Sequence, residues 1–110
     1  MEAIEGLSGT DLAVATMLHR IVTEEAPDLD PRTMYGFPTY ALEGRTVVFF
    51  QPASTYETRY GTISFDEAAN LDDGVMWPTS FAVLEADEKV ESTVRDLVRR
   101  ATVRSDGADR

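Results

Sequence analysis

Two groups of residues have the types and spacing to do chemistry. The first is a set of rings and one guanidinium: Tyr35, Phe37, Tyr40, Arg59, Tyr60 and Trp77. Aromatic walls bury much area, and Tyr and Trp keep a polar handle that orients a ligand. Arg59 can fork onto a carboxylate or phosphate, so the set suits a small anion with an apolar body. The same rings also suit strand-edge packing, with Arg59 paired to Glu57 or Glu43. The second group is acidic: Glu24, Glu25, Asp28 and Asp30. Hard cations such as Fe²⁺, Ca²⁺ or Mg²⁺ take oxygen ligands, and crowded carboxylates deepen the local negative potential. Against that, Glu24 and Glu25 point about 100° apart on a helix, and Pro27 interrupts the register to Asp28. A solvated helix end accounts equally for these four acids.

Other chemistries have less to stand on. The chain has no cysteine and a single histidine, His19. Thiol nucleophiles, cysteine zinc sites and disulfides are excluded. His19 falls on the polar side of a helical pattern and reads as solvent-exposed. No serine sits in a Gly-x-Ser-x-Gly elbow, and no glycine loop is built to cradle phosphate. Asp72-Asp73-Gly74 opens like a calcium loop but lacks its spaced ligands and closing Glu, so it reads as a turn.

These residues must be positioned by one domain, since the chain has 110 residues. Its net charge of −10 opposes binding to phosphate backbones, so no nucleic-acid partner is expected. No apolar run approaches the roughly 20 residues of a membrane helix, and the first residues do not read as a signal peptide. With no cysteine, the chain fits a reducing cytoplasm.

After Ser8, the apolar residues Val14, Leu18, Ile21 and Val22 fall on one face at helical spacing. This first helix ends before Pro27. Asp28 to Arg32 reads as a turn-rich connector. Strands follow at Thr39–Leu42 and Arg45–Gln51, joined by a tight Glu43-Gly44 turn. Strict alternation in the second predicts Val47 and Phe49 on one face, Val48 and Phe50 on the other. Further strands are expected at Glu57–Phe65 and Ser80–Glu85. Asp87 caps a last helix with a stripe of Val90, Val94, Leu97, Val98 and Ala101. The expected fold is α+β: a four-stranded antiparallel sheet with the N- and C-terminal helices packed on one face. The domain is expected to span residues 1–104, followed by a disordered tail over 105–110.

Several segments, in order, carry a family resemblance. They are Tyr35-Gly-Phe-Pro-Thr-Tyr40, Arg45-Thr-Val-Val-Phe-Phe-Gln-Pro52, Arg59-Tyr60, Asn70-Leu-Asp-Asp-Gly74, Met76-Trp-Pro-Thr79 before Phe81, and Leu97-Val-Arg-Arg-Ala101. Together they resemble the YdhG-like family over residues 10–103. The resemblance implies a frataxin-like α+β architecture, and it implies iron handling for cluster assembly in at least one relative. Frataxin-like proteins keep an acidic ridge near the position of Glu24 to Asp30. Fold alone does not transfer function.

The residues therefore favour a non-enzymatic module that binds a small molecule or a protein partner through an aromatic pocket on an open sheet face. The alternative is a frataxin-like iron chaperone, with weak Fe²⁺ binding at the helix-one acids. An enzyme is the least supported class, because no nucleophile or acid–base pair is recognisable. No other cofactor is implied.

Overall fold

A computed structural model of the protein describes residues 2–103. The expected tail over 105–110 lies outside them. The elements are α1 (Glu2–Glu5), α2 (Gly9–Glu25), β1 (Asp30–Met34), β2 (Phe37–Leu42), β3 (Arg45–Gln51), α3 (Ala53–Tyr56), β4 (Gly61–Phe65), β5 (Ser80–Val83) and α4 (Glu88–Ala101). The sheet has five strands, not four, in the order β1-β2-β3-β4-β5 with every neighbouring pair antiparallel.

The added strand is β1, which replaces the expected connector. Its sequence, Asp-Pro-Arg-Thr-Met, has no apolar alternation because the whole strand is exposed at the sheet edge. Its proline also argues against a strand, although edges tolerate one. A two-residue turn joins it to β2, with Tyr35 at φ 54° and Gly36 at φ 82°. Glu43 and Gly44 repeat this pattern at φ 53° and 84° between β2 and β3. Two successive positive φ values match the right-handed strand twist, which is why a glycine sits second in both turns.

Register puts Tyr40, Val48, Phe50, Ile63 and Phe65 on one sheet face. They join a single core with Val14, Leu18 and Ile21 of α2 and Val94 and Val98 of α4. Leu97 is only partly buried at the rim of this core, contrary to its place in the expected stripe. The α4 start is as expected, with the Asp87 carboxylate accepting the Val90 N–H at 2.8 Å.

Strict alternation fails in β3. Tyr40 pairs with Val48 but Ala41 pairs with Thr46, so Val47 has no partner in β2. This bulge lets both Val47 and Val48 enter the core. Phe49 is left on the other face, opposite Thr39 and Ser64.

The expected strand over 57–65 begins only at Gly61. Asp11 of α2 explains the difference. Its buried carboxylate accepts the N–H groups of Ala53 at 2.9 Å and Ser54 at 3.1 Å, which starts the helical turn α3. Glu57 then ends that turn at φ 55°. Burial raises the Asp11 pKa, but the hydrogen bonds from Ser54 and Ala53 outweigh it and hold the carboxyl below its ordinary range.

Candidate functional site

The expected aromatic set does not converge on one pocket. Tyr40 is fully buried on the helix-facing side, where its hydroxyl and His19 Nδ1 lie 3.0 Å apart in a hydrogen bond. Burial pushes its phenol well above the ordinary value. His19 is thus half-buried against Tyr40 rather than freely exposed.

Arg59 and Tyr60 precede β4 instead of lying in it. The guanidinium sits 5.2 Å from the Tyr60 ring centroid and pairs with no carboxylate among the described residues, neither Glu57 nor Glu43. Both border a cavity of about 320 Å³ with Ser8, Thr10 and Phe50. Trp77 borders a different cavity, of about 460 Å³, with Phe65, Ala69, Leu71 and the acids Asp66, Glu67 and Asp72. Gly61 opens β4 and Phe65 ends it, roughly 13 Å away along the strand, so Arg59 beside Gly61 and Trp77 beside Phe65 lie at opposite ends of β4.

Tyr35 and Phe37 do come together, on the face that neither long helix covers. They line a groove of about 300 Å³ with Met34, Phe49, Gln51 and Asp66, and with Thr39 and Thr46 between them. Tyr35 stands 88 % exposed at the β1–β2 turn. Phe37 is buried at the groove floor, and Tyr56 of α3 packs on it with ring centroids 5.7 Å apart. The groove follows β2 and β3. Tyr35, Phe37 and Gln51 form one end, Phe49 the middle, and Thr46 with Asp66 the other end. Beyond it the face turns polar, and the Ser64 and Ser80 hydroxyls lie 2.9 Å apart.

Met34, Phe49, Gln51 and Asp66 were missed by sequence reasoning. Phe49 carried a signal, since apolar residues on both faces of β3 require something on each. Met34 carried none, because β1 itself was not legible.

The acidic group is held by arginines. Arg95 of α4 donates to Glu24 at 2.7 Å and Glu25 at 2.8 Å, and Arg99 donates to Glu25 at 3.0 Å. Arg95 also donates to Glu91 at 2.8 Å, and Arg20 of α2 reaches the same Glu91 at 2.8 Å. The Arg99 and Arg95 hydrogen bonds hold the Glu25 carboxyl down at about 2. Asp30 pairs with Arg32 at 3.2 Å, whereas Asp28 is exposed. Among the described residues, no three His, Cys, Asp or Glu side chains form a group able to hold a metal ion. The helix-one acids thus fasten α2 to α4, and a cation would compete there with two guanidinium groups.

Compared with family models, curated proteins and solved structures, the chain matches none. Among the described residues, no helix is long and apolar enough to cross a membrane. What the chain does is therefore read from its own geometry.

Proposed function

We propose that this protein is a non-enzymatic binding module of YdhG-like type that holds a small ligand in the groove along β2 and β3. One observation carries the reading: three aromatic side chains, Tyr35, Phe37 and Phe49, line a concave site on the sheet face without a long helix. A groove of about 300 Å³ is at the lower end of small-ligand sites. The ordered motifs from Tyr35 to Ala101 support the YdhG-like assignment. Lack of cysteine suits the cytoplasm as its setting. The frataxin-like iron reading draws less support, because Glu24 and Glu25 already carry arginine partners.

Fragment screening by NMR tests the reading. Aromatic fragments should shift the amides of Met34, Tyr35, Phe49 and Gln51. Tyr35→Asn should weaken them while preserving the fold, because asparagine tolerates the left-handed φ of 54° at that turn. Fragments that gather only beside Trp77 or Arg59, or that ignore Tyr35→Asn, would refute it.

A further inference from the structure

We infer that the groove takes an organic cation, an ammonium group on an apolar body, with Asp66 as its counter-charge. The inference rests on the groove reading and adds the ligand class. Asp66 is the only charged side chain among those lining the groove. It continues the row of Thr62 and Ser64, which register places on the face of Phe49 and Gln51. Its Oδ1 accepts the Glu67 N–H at 2.7 Å, and it forms no ion pair with Lys or Arg among the described residues. On the same face Arg32 is committed to Asp30 at 3.2 Å, so the Asp66 charge is left for a ligand.

The remaining walls favour the same sign. Phe49, in the middle of the groove, supplies an aromatic ring of the kind that attracts cations, and Tyr35 with Phe37 supplies apolar wall for the body. The Met34 thioether adds a soft, polarisable contact. Thr39, Thr46 and Gln51 are neutral. The whole chain carries −10, which raises the local concentration of cations and opposes anions. Charge also has a place along the groove. Asp66 and Thr46 lie at one end, and Tyr35 with Phe37 at the other. From Thr46 to Gln51 is five strand residues, roughly 16 Å. A ligand with an ammonium at one end and an aryl or alkyl body at the other matches this layout.

Three matched probes test it: 3-phenylpropylammonium, 3-phenylpropanol and 3-phenylpropanoate, titrated against the full chain and followed by amide shifts. The ammonium should shift Phe49 and Asp66 and bind about fivefold more tightly than the alcohol, the scale of one partly exposed charge pair. The carboxylate should not bind. Asp66→Asn should bring the ammonium down to the affinity of the alcohol without moving the denaturation midpoint, because asparagine can still accept the Glu67 N–H. Equal binding of ammonium and alcohol, or no effect of Asp66→Asn, would overturn the cation class and leave the groove reading standing. Ammonium shifts confined to acidic surface away from the groove would also overturn it. Failure of all three probes to shift any groove residue would take the groove reading down as well.

Discussion

Gly61→Ala is the sharpest test of how the sheet and core are fitted together. A Cβ added at Gly61 would lie 2.7 Å from Phe50 Cε1, 3.0 Å from Cζ and 3.2 Å from the Gln51 carbonyl oxygen. To restore an ordinary contact the Phe50 ring must move by roughly 0.7 Å, the difference between 3.4 and 2.7 Å. That ring is fully buried in the core shared with α2. Overpacking of this kind costs about 1–3 kcal/mol. The substitution also restricts the unfolded chain, which returns about 0.4–1 kcal/mol. Phe50 borders the cavity beside Tyr60, so the ring has some room to swing, which limits the loss. A net destabilisation of about 1–2 kcal/mol follows, equivalent to a fall in Tm of roughly 5–12 °C for a domain of this size. Urea and thermal denaturation of four proteins complete a double-mutant cycle: wild type, Gly61→Ala, Phe50→Leu and the pair. If the ring is what the methyl strikes, Gly61→Ala should cost less than about 0.5 kcal/mol in the Phe50→Leu background. The same loss in both backgrounds, or no loss in the wild type, would refute the reasoning.

Two further outcomes are expected. Tyr40→Phe removes the hydroxyl that meets His19 and should lower stability by about 1 kcal/mol in urea melts, with ligand binding in the groove untouched because Tyr40 lies on the opposite sheet face. A change in groove binding would contradict the face assignment. Glu25 has a folded-state pKa depressed from 4.5 to about 2, so its contribution is present above pH 4.5 and is lost as pH falls towards 2. The denaturation midpoint should decline through that window, and Glu25→Gln should make the decline shallower. Parallel slopes for the two proteins would mean that the Arg95–Glu25–Arg99 contacts do not persist in solution.

The helices were legible because α2 and α4 each place apolar residues at helical spacing against a single core, and Asp87 marks the start of α4 with its capping side chain. The Glu43-Gly44 hairpin was legible for a similar local reason. β1 was not, since an edge strand with both faces exposed needs no pattern and this one contains Pro31. The register of β3 was misread at Val47 because a bulge arises from pairing with β2, which leaves no mark on β3 alone. The placement of Arg59 and Tyr60 depended on Asp11, 42 residues before Ala53 in the chain, capping a helical turn that local preference did not announce. For the site, Tyr35 and Phe37 were found from their own block. Asp66 has no local mark of a site residue, and its place on the Phe49 face, two residues beyond Ser64, becomes visible only once β3 and β4 are paired.

The edge position of β1 bears on how the groove would behave over time. Met34 and Tyr35 supply one wall, yet β1 pairs only with β2 and none of its five residues is buried. Such a strand can detach as a unit while the core behind β2–β5 stays intact. The groove is then a site with a fixed floor and a detachable side, and occupancy and β1 docking become thermodynamically linked. A ligand that touches Tyr35 would slow amide exchange along β2 where it faces β1, although it makes no contact with those hydrogen bonds. Its apparent affinity would fall by the fraction of molecules in which β1 is open.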